Sequence, residues 1–340
     1  MPVTQADVAH RAGVSQRTVS NVVNGLPSVS PDTLVRVTAA IRELGYTPSL
    51  AARSLRVGRS GVLQLVVPEL DVPYFAELAR GVIKSAEDQG YAVLVRQTLG
   101  SRERERDALE GSAAEYADGT ILSAVADIQE LMVGRELRSP VVLIGERSGR
   151  GLVDHIGIDD VAAAVTATNH LLESGRRRVA FVGAHPDSSL RMAALRFTGY
   201  ERALAAAGMP VDPDLVVQTG SYHRRDGETA MASLLGRDNP PDGVFCATDL
   251  LALGAMRAAH EHGLSVPGDI AVVGFDGLEE GRYSVPSLTT IEPDKQQIAR
   301  VSVDTLLARI RAREAGPDET AVHDVTIPFS LVVRESSRSN

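Results

Sequence analysis

The sequence predicts an all-α head joined by a short hinge segment to a larger α/β body of two doubly wound parallel-sheet halves. Three helical patterns fill the first 47 residues, and Pro48 follows them. From Gly61 onward, continuous Val, Ile and Leu runs alternate with amphipathic helical patterns, which is typical of a parallel sheet covered on both faces. The alternation occurs in two rounds, so we expect two similar halves. We therefore divide the chain into a head (1–47), a hinge helix and linker (48–59) and a body (60–340).

The formal charge divides at the same point of the chain. Residues 1–59 contain seven Arg and no Lys against Asp7, Asp32 and Glu43, a net charge of +4, whereas the remaining 281 residues carry −13. Attraction to phosphates is local, because salt screens it within about 10 Å. Codon usage can explain why Arg replaces Lys, but not where the charge lies. The charge therefore favours the head as the part that would bind DNA.

The first two helices of the head are predicted from their caps. Thr4 and Asp7 fit a capping box that opens a helix over residues 5–11. Gly13 supplies a tight turn, and Ser15 caps a second helix over residues 16–23. The outer face of this second helix is expected to present Gln16, Arg17, Ser20 and Asn21. Such side chains can read base edges in the major groove, although a polar surface helix has the same pattern.

A third helix and a hinge complete the head. Ser30 and Pro31 open the helix, Leu34, Val37, Ile41 and Leu44 follow at helical spacing, and Gly45 ends it. Residues 49–56 could form two helical turns, which are too short to be stable alone. Leu55 lies between Arg53 and Arg56 and has the chemistry of a minor-groove wedge. The alternative is that Leu55 belongs to the start of the body's core.

The body is predicted as two rounds of strands and helices. In the first round we expect strands at 62–68, 91–96, 119–123 and 141–145, with helices at 75–89, 101–117 and 128–137. In the second we expect strands at 179–183, 215–218, 244–247 and 270–275, with helices at 160–174, 193–207, 224–235 and 250–262.

Several side chains follow predicted strands and are candidates for ligand binding. Tyr74 and Phe75 follow the first strand, and Arg196, Tyr222 and Asp276 lie just beyond other strand ends. Ligands of doubly wound sheets bind at these ends. Carboxylate and guanidinium groups can bind hydroxyls while an aromatic ring covers an apolar face, so the set suits a small polar metabolite. Individually, Arg196 could be a surface residue, Tyr222 a core residue and Asp276 a turn residue.

The sequence contains no pattern of catalytic residues, and we expect no enzyme, cofactor or metal site. It lacks a Walker-type phosphate loop, a Gly-x-Ser-x-Gly elbow and a His-Glu-x-x-His motif. His260 and His262 fit a solvated helix end, and Cys246, the single cysteine, fits a buried strand thiol. The first residues do not resemble a signal peptide, and nowhere do about 18 apolar residues run together. We therefore expect a cytoplasmic protein that does not span a membrane.

The head and hinge resemble the LacI/GalR (lactose-repressor) family of bacterial transcription regulators. The resemblance rests on Val3–Ala9, Ala12–Ser15, Thr18–Ser20, Val23–Asn24, Leu44–Pro48 and Ala52–Leu55. The body is similar to the periplasmic-binding-protein-like fold, in which the chain crosses three times between two subdomains. We expect crossings near 159, at 288–292 and at 319–325. This gives an N-subdomain of about 60–159 and 290–320, and a C-subdomain of about 160–288 and 321–340.

The resemblance implies a regulator that binds double-stranded DNA at a pseudo-palindromic operator and a small-molecule effector between the subdomains. The implied DNA-binding residues are Thr4, Ser15, Gln16, Arg17, Ser20, Asn21, Arg53, Leu55 and Arg56. The implied effector-binding residues are Tyr74, Phe75, Arg196, Tyr222, Asp249 and Asp276. The chain departs from the family at Asn21, where many members have Arg, and at Val72, where Asn is usual.

The resemblance also implies a homodimer. The chain ends at Asn340 without a heptad tail, so we expect a dimer rather than a tetramer held by a coiled coil. Two alternatives share the body fold: a solute-binding protein and a sugar-converting enzyme. The 59-residue head and the absence of a signal pattern argue against the first, and the absence of a general acid/base pair argues against the second.

Overall fold

The computed structural model describes residues 3–23, 29–46, 59–111, 116–132, 137–146, 149–185, 191–316 and 321–338. Two compact units divide the chain after Gly61. The first is helical and the second contains both sheets.

The head contains the three expected helices, α1 (Gln5–Ala12), α2 (Gln16–Val23) and α3 (Pro31–Leu44). The predicted capping box is present, because Thr4 and Asp7 exchange side-chain and backbone hydrogen bonds. Gly13 ends α1 with φ of 64°, a left-handed conformation that glycine adopts without a Cβ penalty. Local capping therefore defines both ends of α1.

The hydrophobic core of the head is small. Its buried members are Val8, Ala9, Ala12, Val19, Val37 and Ala40, and Val22, Val23, Ile41 and Leu44 pack at its edge. Leu34, which we expected in this core, is 47% exposed. A helix turns only one stripe inward, and the buried residues of α3, Val37 and Ala40, lie in its middle, whereas Leu34 is in its first turn.

The first half of the body contains a parallel six-stranded sheet in the order β11-β5-β4-β3-β1-β2. Its elements are β1 (Val62–Val67), α4 (Pro73–Glu87), β2 (Ala92–Gln97), α5 (Arg102–Glu110), β3 (Gly119–Ser123), α6 (Ile128–Leu131), β4 (Val141–Ile144), β5 (Asp154–Gly157) and, from the end of the chain, α12 (Lys295–Ala315) and β11 (Asp324–Thr326).

The second half contains a six-stranded sheet in the order β12-β10-β9-β8-β6-β7. Only the pairing of β10 with β12 is antiparallel among the strand pairs described. Its elements are α7 (Asp160–Glu173), β6 (Val179–Ala184), α8 (Arg191–Ala206), a 3₁₀ turn (Pro213–Leu215), β7 (Val216–Gln218), α9 (Arg224–Leu235), β8 (Gly243–Cys246), α10 (Asp249–Glu261), β9 (Ala271–Phe275), α11 (Glu279–Tyr283), β10 (Thr289–Pro293) and β12 (Phe329–Val332).

The chain crosses between the two sheets at residues 158–159, 293–294 and 327–328. The first crossing is where we expected it. The second lies beyond the expected 288–292, because β10 pairs with β9 in the second sheet. The third lies beyond the expected 319–325, because β11 pairs with β5 in the first sheet. Residues 290–293 therefore belong to the second half, and 321–326 to the first.

Helices cover both faces of the first sheet, as the continuous apolar strands predict. Successive residues of β1 face opposite sides. Leu65 packs with the apolar residues of α4 and α12, whereas Val66 packs with those of α5 and α6. In the second half, Phe181, Phe245 and Phe275 form the centre of a single large core. These cores position the strand ends on which the candidate site is built.

Some elements differ from the expected ones. The predicted helix over 101–117 ends at Glu110, and the one over 128–137 ends at Leu131 in a short helix, with residues 112–115 and 133–136 outside the described ranges. Strands β5, β10 and β11 and the helix α12 were not predicted. The strands are short and carry polar residues, so their apolar signal is weak.

Candidate functional site

The head presents part of the expected face of α2. Gln16 and Arg17 are exposed and Asn21 is half-buried, whereas Ser20 is only 5% exposed. The prediction that Ser20 lies on the outer face is therefore wrong for this structure. Ser20 follows the buried Val19 directly, and a 100° turn per residue leaves it at the border of the core stripe. Ser15 caps α2, because its Oγ accepts the Thr18 amide at 3.1 Å.

The remaining DNA-binding candidates divide between described and undescribed parts of the chain. Thr4 is exposed at the start of α1. Arg53, Leu55 and Arg56, with the predicted hinge helix, lie outside the described residues.

The body contains a cavity of about 390 Å³ between its two halves. The first half lines it with residues that follow β1, β3 and β4, and the second half with residues that follow β7, β8 and β9 and with the start of α8. All these strands are parallel within their sheets, so their carboxyl ends meet at one edge. Of the six predicted effector residues, five line this cavity: Tyr74, Phe75, Arg196, Tyr222 and Asp276.

Arg196 is the central charged group of the cavity wall. It is 5% exposed, and its guanidinium lies 3.5 Å from the centre of the Phe275 ring. Its Nε donates to Asp160 at 2.9 Å, and its Nη1 donates to the carbonyl of Ala247 at 2.5 Å. Two further carboxylates surround it, with Glu146 at 3.4 Å and Asp276 at 3.5 Å. One buried cation therefore faces three acids.

Two of the acids around Arg196, Asp160 and Asp276, have raised pKa values. Burial, which Arg196 only partly offsets, raises the pKa of Asp160 to about 7. Burial likewise raises the pKa of Asp276 to about 6, against the opposing effects of Arg196 and Lys295. Burial therefore favours the neutral forms of both acids in spite of the adjacent guanidinium.

Aromatic residues form the apolar part of the wall. Tyr74 and Phe75 meet edge to face, with ring centroids 5.3 Å apart. The Oη of Tyr222 is buried and has no hydrogen-bond partner among the described residues. Burial, with a smaller effect of nearby charges, raises the pKa of this phenol to about 12. A buried unpaired hydroxyl at a cavity wall is a position where a ligand can supply the partner.

Asp249, the sixth predicted effector residue, does not line the cavity. Its side chain is fully buried and accepts hydrogen bonds from the Leu278 amide at 2.7 Å and the Thr290 hydroxyl at 2.6 Å. Both carboxylate oxygens therefore bind groups of its own half. Asp249 instead holds the loop that follows β9 and carries Asp276.

A second charged group holds the same loop from the opposite half. Lys295, the first residue of α12, donates through Nζ to the carbonyls of Asp276 and Gly277 at 2.5 and 2.8 Å. It also pairs with Glu77 of α4 at 2.8 Å, and Glu77 accepts the Glu279 amide at 3.2 Å. Asp276 has φ of 119°, an uncommon conformation for a residue with a side chain. We call the Lys295–Glu77 pair the loop clasp.

Sequence reasoning missed other polar residues of the cavity. Glu69 follows β1 and lies 3.2 Å from the Nε2 of His223, which belongs to the other half. Glu146 follows β4, and Asp160, at the start of α7, does not line the cavity but accepts the hydrogen bond from Arg196. Their only sequence signal is their place directly after a strand, which many surface residues share.

No cluster of three or more His, Cys, Asp or Glu side chains that could hold a metal ion occurs in the described ranges. Among the helices of those ranges, none is long and apolar enough to cross a membrane. Cys246 is buried, as its apolar strand predicts, and burial raises the pKa of its thiol.

Comparisons with known proteins agree with both parts of this geometry. Residues 4–49 match the model for bacterial regulatory proteins of the lacI family, and residues 168–337 match the periplasmic binding protein-like domain. The HTH-type transcriptional repressor PurR of Haemophilus influenzae is 32% identical over 340 residues, which cover 99% of each chain. The chain therefore belongs to the LacI family of transcription regulators.

Two solved structures extend the likeness over the whole chain. The lac repressor dimer bound to operator and the anti-inducer ONPF has a TM-score of 0.85 at 27% identity, covering 100% of both chains. The transcriptional regulator CelR in complex with cellobiose has a TM-score of 0.71 at 31% identity, covering 98% of this chain and 99% of that one. The protein is thus a DNA-binding transcription regulator with a helix-turn-helix head and an effector-binding body, and its relatives PurR and lac repressor are repressors.

Proposed function

We propose that this protein is a homodimeric, cytoplasmic repressor that reads a pseudo-palindromic operator and responds to a small polar metabolite. The observation that carries the proposal is the combination, in one chain, of an exposed α2 face with a cavity at the strand ends. In the relative solved with operator, the protein is a dimer. Two copies would place two α2 helices on successive half-sites of a palindrome.

In the head, Gln16, Arg17 and Asn21 are assigned to base edges. Arg can donate two hydrogen bonds to guanine, and Gln or Asn can pair with adenine. Thr4 and Ser15 are assigned to phosphates, because each is exposed at a helix start. Ser20 is too buried for that role unless α2 shifts on binding.

In the hinge, Leu55 is assigned to a central base step of the operator, with Arg53 and Arg56 on the flanking phosphates. Insertion of an apolar side chain unstacks a step and kinks the duplex. Because a two-turn helix is unstable alone, its folding would depend on DNA and on its partner copy. This dependence makes the hinge sensitive to small changes in the body.

In the body, the cavity is assigned to the effector, with Tyr74, Phe75, Arg196, Tyr222 and Asp276 as contacts and Asp249 as support for Asp276. A volume of about 390 Å³ lies within the usual range for small-molecule sites. CelR, with cellobiose bound, supports a sugar or sugar derivative as the ligand class. Binding would change the angle between the halves, with a coupling energy of about 1–3 kcal/mol to DNA binding.

The first experiment is selection of the full-length protein on a random duplex pool at about 0.15 M salt, where nonspecific binding is weakened. We expect enrichment of a palindrome with a flexible pyrimidine–purine step at its centre. Failure to enrich any sequence, with and without a mixture of metabolites, would refute the operator-reading role.

Two variants then test the residue assignments on the selected duplex. Arg17→Ala should weaken specific binding by about 1–3 kcal/mol and change random-duplex binding little. The matched control Arg36→Ala, an exposed Arg of α3, should lack this specific loss. Leu55→Ala should also weaken operator binding far more than nonspecific binding, and an equal loss on both duplexes would exclude the wedge.

A further inference from the structure

The cavity between the halves has an excess of negative charge. Glu69, Glu146 and Asp276 line it, and Asp160 lies directly behind Arg196. Among the described side chains that line the cavity, Arg196 carries the one guanidinium, and His223 pairs with Glu69. With all four acids ionised, the formal balance of these described groups is three negative charges in excess when His223 is neutral and two when it is protonated. The excess is smaller near neutral pH, because burial raises the pKa of Asp160 to about 7 and that of Asp276 to about 6.

The guanidinium of Arg196 already binds groups of the protein itself. As described above, Arg196 donates to Asp160 and to the Ala247 carbonyl and contacts two further carboxylates, and its face covers the Phe275 ring. A negatively charged ligand would have to compete with three acids for this group. It would also have to approach Glu69 and Glu146, which repel it. The wall is therefore poorly suited to a phosphate or a carboxylate.

The same wall suits a positively charged nitrogen. Ionised carboxylates only accept hydrogen bonds, and an ammonium group only donates them. The unpaired Oη of Tyr222 has lone pairs that can accept a further N–H. The rings of Tyr74, Phe75 and Tyr222 add negative π faces, which attract cations. Hydrogen-bond acceptors and aromatic faces that attract a cation therefore line the same cavity, and a protonated amine can bind both.

We propose that the cavity selects ligands that carry a protonated amine, such as an amino sugar or an aminated polyol of similar size, and rejects phosphorylated or carboxylated ones. This inference rests on the proposed function only in taking the cavity as the effector site. The preference for cationic over anionic ligands follows from the side chains that line the cavity, whatever its role in regulation.

The protonation of the buried acids gives the preference a pH dependence. Burial raises the pKa of Asp160 to about 7 and that of Asp276 to about 6, against the opposing charges of Arg196 and, for Asp276, of Lys295. A bound cation favours their ionised forms and therefore displaces protons. Affinity for an amine that stays protonated should rise between pH 5 and pH 8, and affinity for an anion should fall.

The single native cysteine makes a ligand-independent test possible. Cys246 is fully buried, so a thiol introduced into the cavity is expected to dominate labelling. Ser123→Cys places a thiol of similar size on the cavity wall at the end of β3. Ala205→Cys, on the exposed surface of α8, provides the matched control, with Glu201 and Arg202 one turn away.

The full-length variants are treated with methanethiosulfonates that carry an aminoethyl, a methyl or a sulfonatoethyl group. The ratio of aminoethyl to sulfonatoethyl rates cancels differences in thiolate fraction. We expect this ratio to be at least about tenfold larger for Ser123→Cys than for Ala205→Cys at low salt, in keeping with electrostatic focusing in clefts. Adding Glu146→Gln or Glu69→Gln should reduce it. Equal ratios at the two positions, or faster sulfonatoethyl labelling in the cavity, would overturn the proposal.

Competition connects the charge preference to ligands. With glucosamine, glucose and glucose 6-phosphate as competitors, glucosamine should slow aminoethyl labelling of Ser123→Cys most, and stronger protection by glucose 6-phosphate would count against the assignment. The duplex selection is a separate readout. A charge-selective cavity in a protein that enriches no duplex would refute the proposed function alone, whereas operator binding with a non-selective cavity would refute this inference alone.

Discussion

Replacement of Arg196 by Met tests whether one buried cation holds the acids of the cavity in place. Met keeps most of the apolar volume against Phe275 but removes the charge and every hydrogen bond that the guanidinium donates. Removing one partner of a buried ion pair costs about 3–5 kcal/mol, because the other charge stays buried and unpaired. The side chains of Asp160 and Asp276 are only 3% and 10% exposed, so we expect about 4 kcal/mol at pH 8.

The loss should depend on pH in a defined direction. A carboxyl whose pKa is raised in the folded state contributes stability at low pH, and this contribution is lost as pH rises through the folded-state pKa. The pKa of Asp160 is already raised to about 7, and removal of Arg196 should raise it further. The variant should therefore lose stability more steeply than the parent between pH 5 and pH 8, and the two should converge near pH 5.

The assay is urea unfolding followed by circular dichroism at several pH values, since the chain contains no Trp for fluorescence. Arg257→Met is the matched control, because its pair with Glu261 is surface-exposed, with 63% of the Arg side chain accessible. The control should change stability by less than about 0.5 kcal/mol at any pH. Addition of Asp160→Asn should recover part of the loss in the Arg196 variant. A loss that is equal at pH 5 and pH 8, or no larger than the control's, would refute the reasoning.

Three further predictions concern the supports of the site. Lys295→Met should speed hydrogen exchange at the amides of the loop after β9, because the loop clasp is lost. The control Lys84→Met, on the exposed surface of α4, should leave this exchange unchanged. Equal exchange rates in the two variants would show that the loop clasp does not hold the loop. Asp154→Asn should cost about 3 kcal/mol at neutral pH. Burial opposes ionisation of Asp154, but the hydrogen bonds from Arg309 and the His323 amide, together with the Arg309 charge, outweigh it and lower the pKa. The stabilisation by Asp154 is therefore present above pH 4 and lost on acidification. The parent and this variant should therefore converge in acid unfolding, and parallel curves would contradict the assignment. Gly254→Ala should lower the midpoint of thermal unfolding, because its Cβ would lie 1.9 Å from a carbonyl of α9, and an unchanged midpoint would show that the helices separate easily.

The elements that sequence predicted best are those whose signals are local. Thr4, Gly13, Ser30 and Gly45 act on the backbone within one turn, so the head helices begin and end close to where caps predict. The apolar strands of the body carry a similar local signal, since a strand buried on both faces must be hydrophobic throughout. Family resemblance supplied the three crossings, although the second and third lie further along the chain than expected.

Elements whose stability depends on distant partners were missed or misplaced. Strand β11 has three residues and exists because it pairs with β5, about 170 positions earlier in the chain. Helix α12 packs its apolar residues against the first sheet only after the chain has returned from the second half. Neither dependence is visible in a short window of sequence.

The cavity, too, has features that the sequence predicts and features that depend on distant parts of the chain. Sequence position placed Tyr74, Phe75, Arg196, Tyr222 and Asp276 after strands, and parallel sheets bring strand ends together, so these five could be predicted to meet.

The electrostatic character of the cavity was decided by the tertiary structure alone. Glu69 and Glu146 line the cavity and Asp249 does not, because the packing of the two halves decides which side chains meet there. Burial at that interface also raises the pKa values of the acids. Amino-acid sequence by itself determined the class of protein and the edge of the sheets where the cavity lies. Charge balance and proton affinity arise only when residues far apart in the chain share a site with little water, because desolvation and Coulomb interactions depend on distance in space.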